Sequence, residues 1–123
     1  MVVMGYFPWS MMHHLAKSSQ MKSICAWLSR NRLPVHLDSF ARIHIWVRQP
    51  APNHLVCVLL NASLDPATES VLRLANYYKK IKWIDMAGKT VSIKSSEIRA
   101  TPACLIRLPV LKPWSVSLLT ANS

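Results

Sequence analysis

Residues 55–66 read Leu55-Val56-Cys57-Val58-Leu59-Leu60-Asn61-Ala62-Ser63-Leu64-Asp65-Pro66, an apolar run that stops abruptly at a polar turn. A run this short, rich in Val and Leu and bounded by Asn, Asp and Pro, predicts a β-strand buried on both faces. The stretch Leu108-Pro109-Val110-Leu111-Lys112-Pro113-Trp114-Ser115-Val116 is built in a similar way. A strand covered on both sides needs a sheet around it. The back two thirds of the chain therefore reads as a β-module.

The periodicity changes near residue 38. Before it, Met1-Val2-Val3-Met4-Gly5 predicts a short strand, followed by an aromatic loop over Tyr6–Ser10 with His13 and His14. Ser18 or Ser19 is a plausible N-cap for a helix. Met21, Ile24, Cys25 and Leu28 fall at i, i+3, i+4 and i+7, one apolar stripe, and Pro34 stops the helix after Leu33. After Asp38 the apolar period becomes 2: Ile43, Ile45 and Val47 alternate with His44, Trp46 and Arg48. Further strands are expected at Leu55–Leu60, Glu69–Ala75, Lys80–Asp85, Thr90–Lys94, Cys104–Leu108 and Trp114–Leu119. Gly88 sits in the Met86–Lys89 turn, where a positive φ is needed. About seven short strands at this spacing predict a small antiparallel β-sandwich over 38–123, preceded by a strand-loop-helix remnant of an α/β domain over 1–37. The class is mainly β.

Composition sharpens this. Half the residues (51%) are hydrophobic, which argues against disorder, yet no run approaches the roughly 18 apolar residues of a membrane helix. Gly occurs only twice, so Pro, Asn, Asp and Ser must shape the turns. The net charge of +10, from 15 Lys and Arg against 5 Asp and Glu, favours anionic partners. Cys25, Cys57 and Cys104 lack Cys-x-x-Cys spacing and read as buried free thiols of a reducing, cytoplasmic compartment. The segment before Asp38 is basic and free of acid, as in a transit peptide, but Gly5-Tyr6-Phe7-Pro8-Trp9 breaks the helix such a peptide requires.

Catalytic signals are thin. Asp38, Asp65, Glu69, Asp85 and Glu97 are the only carboxylates, and Asp65 and Asp85 occupy ordinary turn positions. Ser10 beside His13 or His14 lacks a nucleophile-elbow pattern. The adjacent pair His13 and His14, with His36, is a poor zinc set. No catalytic residue, cofactor or metal ligand is assigned. The basic stretch Tyr77-Tyr78-Lys79-Lys80-Ile81-Lys82-Trp83, with Lys89 and Lys94 across the hairpin, is the one candidate surface for an anion or single-stranded nucleic acid. On a strand, however, Lys80 and Lys82 share one face and Ile81 and Trp83 the other, which makes the rings core and the lysines a solvated edge. Asn61-Ala62-Ser63 matches an N-glycosylation sequon but ends a strand expected to be buried.

Taken together, Val2-Val3-Met4-Gly5-Tyr6-Phe7-Pro8-Trp9, the helix with Lys17-Ser18-Ser19-Gln20-Met21-Lys22, Trp27-Leu28, Leu33-Pro34, Arg48, the Leu59–Pro66 turn, Asp85-Met86-Ala87-Gly88 and the closing Pro113-Trp114-Ser115-Val116 form a pattern. It resembles the C-terminal end of large bacterial β-galactosidase-type glycoside hydrolases that carry a glutamine-amidotransferase-like trimerisation domain. The resemblance implies that residues 1–37 are the tail of that α/β domain and the rest its closing sandwich. It also implies that the catalytic barrel is missing, so no catalytic residue carries over. The expected function is a non-catalytic accessory module, truncated from its enzyme. Its partners would be a glycoside hydrolase domain or a second copy through the exposed helix face, with no membrane. The alternatives are a small basic nucleic-acid-binding protein and a carbohydrate-binding sandwich that uses Trp46, Trp83 or Trp114.

Overall fold

The computed structural model describes residues 15–39, 41–97 and 102–123. They belong to two compact units, Met1–Leu33 and Pro34–Ser123. The strand expected at the start of the chain and the loop with His13 and His14 lie outside the described residues.

In the first unit, helix α1 spans Leu15–Leu28. It takes in Ser18 and Ser19, both expected as caps. Serines are tolerated inside a helix when the hydroxyl bonds back to the preceding turn, as Ser23 Oγ does to the Ser19 carbonyl at 3.0 Å. The helix ends five residues earlier than Pro34 requires. Asn31 N–H donates to the Ala26 carbonyl (2.7 Å) and Arg30 N–H to the Trp27 carbonyl (3.0 Å), the paired bonds of a Schellman cap. Arg30 holds the left-handed position, φ 52°, where glycine is usual. The apolar stripe is only half covered: Met21 and Ile24 are half-buried, whereas Cys25 and Leu28 are exposed. Cys25 is thus not the buried thiol its apolar neighbours imply.

Among the described residues, the second unit is a sandwich of nine strands where about seven are expected. They are β1 (Val35–Leu37), β2 (Ile43–Ala51), β3 (His54–Asn61), β4 (Val71–Leu74), β5 (Lys80–Ile84), β6 (Thr90–Ile93), β7 (Ser95–Glu97), β8 (Cys104–Arg107) and β9 (Val116–Asn122). One sheet has the order β1-β4-β8-β7 and the other β2-β3-β9-β5-β6. The described pairings are antiparallel. The two additional strands, β1 and β7, are three residues long and carry too little pattern to be read locally. β1 pairs with β4, which places residues 35–37 in the sandwich and not with the helix before them.

Strand β3 carries the apolar run, but it is neither central nor buried on both faces. Leu55, Cys57, Leu59 and Asn61 are fully buried, while Val56, Val58 and Leu60 are half-buried on the other side. An antiparallel sheet in a two-layer sandwich has one face on the core and one outside, so alternation prevails even where every side chain is apolar. The centre of the sheet is β9, flanked by β3 and β5. The core joins Leu55, Leu59, Ile81, Trp83 and Leu119 of this sheet to Leu72, Leu74, Cys104 and Ile106 of the other. The β5–β6 hairpin forms as expected. Gly88 has φ 79°, and Asp85 Oδ1 accepts the N–H groups of Ala87 (2.9 Å) and Lys89 (2.8 Å).

Burial pushes the Cys57 thiol from 9.0 up to about 12. The folded thiol stays protonated at pH values where the unfolded one ionises. The stability it contributes is therefore complete below pH 9 and is lost as pH rises towards 12, with a slope of about 1.4 kcal/mol per pH unit. Urea denaturation between pH 8 and 11 checks this: Cys57→Val is expected to flatten the decline relative to wild type. Arg30→Gly is expected to strengthen the end of α1 by about 1 kcal/mol, seen as roughly fivefold slower exchange of the Asn31 amide.

Candidate functional site

Asn61, the last residue of β3, lies where the β3–β4 and β8–β9 loops meet. Its Nδ2 donates to the carbonyls of Asp65 (2.9 Å), Leu111 (3.1 Å) and Lys112 (3.1 Å), and its backbone N–H donates to the Ser115 carbonyl (3.0 Å). Two amide hydrogens serve three acceptors, so one of them is shared. Three carbonyls around one atom require the NH₂ end of the amide there. Asn61 Oδ1 is buried and meets no donor among the described residues. The Leu111 carbonyl also accepts the Ala67 N–H (2.9 Å), closing a bridge between the loops after β3 and β8. With its side chain fully buried, Asn61 offers no glycosylation site in the folded chain.

This clamp fixes the segment that leads into β9. Beyond Lys112 the chain turns through Pro113 and Trp114, and Ser115 Oγ donates to the Lys112 carbonyl at 2.6 Å. Pro followed by a residue of positive φ is the pattern of a type II turn. That residue here is Trp114, φ 49°, a conformation costing a non-glycine residue roughly 1–2 kcal/mol. Trp114 is also 62% exposed. The same segment forms one wall of a groove at the end of the sandwich, through Val110, Lys112, Ser115 and Val116. Met86, Lys89 and Val91 of the β5–β6 hairpin also line it, together with buried Trp83 and Leu111. Asp85, the carboxylate in this lining, has its Oδ1 engaged by two backbone N–H groups.

Of the three rings in the basic stretch only Tyr77 is exposed, so the stretch offers no succession of stacking rings. Tyr78 and Trp83 are 2% and 4% exposed, so both rings are core. Burial raises the Tyr78 phenol above its usual pKa, with smaller upward effects from Cys57 and Cys104 and a lowering one from its hydrogen bond with the Asn76 side chain. Lys79, Lys80, Lys82, Lys89 and Lys94 are all exposed. They are spread along the hairpin: Lys80 and Lys94 lie at one end, Lys82 in the middle and Lys89 at the far end, about 16 Å along β5 at ~3.3 Å per residue. Trp46 and Trp114 are the exposed tryptophans among the three singled out, since Trp83 is buried.

The register places an unexpected set of side chains on the outer face of the five-stranded sheet. Trp46, Val58, Leu118 and Ile84 form one row across four strands, and Leu60 pairs with Val116 beside them. Trp46 is 55% exposed, and the His44 ring stacks on it with centroids 6.2 Å apart. The adjoining row runs Arg48, Val56, Thr120, Lys82. None of β2, β3, β9, β5 and β6 contains an Asp or Glu. Local sequence hides much of this patch, because Val58 and Leu60 sit in a run apolar throughout, where no alternation marks an outer face.

Among the described residues, no three His, Cys, Asp or Glu side chains come together in a metal-binding arrangement, and no helix is long and apolar enough to cross a membrane. Asp65 and Glu69 are exposed in the loop between β3 and β4, where Glu69 has φ 52°. The Trp114 turn and the Asn61 clamp depend on partners about fifty residues apart, which no local motif announces.

No protein-family model matches the chain, and no curated protein matches it. Among solved structures, the chain is similar to the α-L-fucosidase isoenzyme 2 from Paenibacillus thiaminolyticus, at 11% identity with a TM-score of 0.61. The match covers 93% of this chain and 19% of that one, so the chain spans about a fifth of its neighbour's length. At this identity the likeness is one of fold alone.

Replacing Asn61 tests the clamp. Asn61→Ala is expected to lose about 3 kcal/mol, since three loop carbonyls lose their donor, and Asn61→Asp is expected to be worse near neutral pH, where a carboxylate would face those carbonyls. Urea unfolding measures both, and the Asp variant should recover part of the loss on acidification, when it can donate again.

Proposed function

We propose that this chain is a non-catalytic accessory module of a glycoside-hydrolase-type protein, of the β-galactosidase kind its sequence resembles. The module packs through the outer face of its five-stranded sheet against a neighbouring domain that presents aliphatic side chains ringed by carboxylates. The observation that carries this reading is the row of Trp46, Val58, Leu118 and Ile84, with Leu60 and Val116 beside it, on a face that water would otherwise cover. Outer faces of antiparallel sheets are ordinarily polar, and a contiguous apolar patch marks an interaction surface. Trp and Arg, here Trp46 and Arg48, are favoured at such interfaces.

The cations set the partner's chemistry. Arg48 and Lys82 flank the row, with Lys80 further along β5 and no carboxylate in the five strands. A second copy would bring like charge against like, which costs affinity, whereas an acidic rim complements it. The fold likeness to part of a larger fucosidase chain supports the accessory reading. The nucleic-acid alternative loses its stacking platform with the burial of Tyr78 and Trp83.

Charge insertion on the outer face tests this function. The wild-type chain is expected to bind the dye ANS, and Leu118→Glu and Trp46→Glu to lower that signal several-fold with little change in Tm; the signal that remains is attributed to Trp27 and Leu28 on α1. An unchanged signal argues against the outer face as the docking surface. Turnover of 4-nitrophenyl β-galactoside or α-fucoside by the purified chain argues against a non-catalytic module.

A further inference from the structure

We propose that the Trp114 turn and the adjoining end groove form a binding site for a uronic-acid-containing oligosaccharide, with one pyranose ring stacked on Trp114 and its carboxylate held by Lys112 and Lys89. The groove shares Val116 with the outer sheet face, but the inference does not rest on the accessory role assigned above.

Trp114 is anomalous twice over. A bulky aromatic occupies a left-handed position that glycine fills at least cost, and its ring is mostly in water. Neither stability nor solubility accounts for that choice. The turn is nevertheless held rigidly from behind: Asn61 Nδ2 grips the Leu111 and Lys112 carbonyls, the Ser115 carbonyl accepts the Asn61 N–H, and Pro113 limits the backbone before the ring. A strained aromatic on a braced turn is presented, not packed, and bracing of this kind preorganises a recognition group.

The surroundings select the ligand. A pyranose ring has a C–H face that packs on an indole and hydroxyl edges that reach polar neighbours. The groove beside the turn has aliphatic walls, Met86, Val91, Val110 and Val116, suited to such C–H faces. Its rim carries two exposed cations, Lys89 and Lys112. The lining holds two lysines against one carboxylate, Asp85, whose Oδ1 is turned to the hairpin backbone, so the local charge is on balance positive and an acidic sugar is favoured over a neutral one. Single-stranded nucleic acid needs successive rings for successive bases, and this site offers one exposed indole. The Trp114 ring stands outside the groove lining; its neighbours Lys112 and Ser115 connect it to that wall.

The test is a titration of the ¹⁵N-labelled full chain with hexagalacturonate at low salt, following the indole N–H of Trp114. Saturable shifts that weaken with added salt are expected, with maltohexaose binding more weakly. Trp114→Gly is expected to hold or raise Tm, since glycine relieves the backbone, and to weaken binding about tenfold or more. Trp114→Tyr should retain most of the affinity, and Lys89→Ala with Lys112→Ala should lower it several-fold. Leu118→Glu, on the outer sheet face, should leave it unchanged. No saturable shift up to about 10 mM ligand overturns the proposal, a limit set by the weakest specific affinities. Undiminished binding by Trp114→Gly overturns it, as does tighter binding of a hexathymidylate or of maltohexaose. A sharp fall in Tm for Trp114→Gly also overturns it, because the ring would then be a packing residue.

Discussion

Three backbone carbonyls from two loops converge on the side-chain nitrogen of Asn61, at the end of the strand that carries the chain's longest apolar run. The loop after β3 and the loop before β9 would otherwise lie at the end of the sandwich with their acceptors buried, an arrangement that costs free energy unless a donor is supplied. Asn61 supplies it, and so sets where β9 begins. The same device recurs on a smaller scale: Asp85 holds the β5–β6 hairpin through two N–H groups, and Ser63 Oγ accepts the Asp65 N–H. A chain with only two glycines shapes its turns with polar side chains instead of backbone freedom. Where it dispenses with both, at Arg30, Glu69 and Trp114, non-glycine residues carry positive φ.

The parts of the fold readable from sequence are those with local cause. Ile43, Ile45 and Val47 alternate because β2 has a core side and an outer side. Lys80, Ile81, Lys82 and Trp83 do the same in β5, which is why the lysines are exposed and the indole is not. Gly88 marks its turn because that backbone position favours glycine. Strands β1 and β7 escape notice because three residues carry no period, and the split exposure of the α1 stripe depends on what covers the helix. Asn61 reads locally as a strand end, correctly, but its clamp joins residues 50 and 51 positions apart. Tyr78 has the composition of a surface ring, next to three lysines, yet the core takes it.

The two surfaces with a proposed role are also the places where local rules are broken. An apolar row lies on the outer side of a sheet, and an exposed tryptophan adopts a glycine conformation. Sequences agree with their folds across most levels, and the exceptions concentrate where something besides folding is being selected. The basic stretch around Lys79 breaks no such rule. Its lysines sit on solvated positions of a strand and hairpin, as they would in any soluble edge.

Strand β9, the last of the sandwich, lies at the middle of its sheet, hydrogen-bonded on one side to β3 and on the other to β5. The two halves of the five-stranded sheet therefore have no direct pairing with one another until β9 arrives. During synthesis, β2–β3 and β5–β6 can close as separate hairpins, each leaving an open edge where β9 will insert. Such edges are templates for pairing with other chains, and contacts this distant in sequence form slowly. The order in which the ribosome delivers the strands thus leaves both inner edges open until β9 closes them, with β2 and β6 at the margins of the finished sheet.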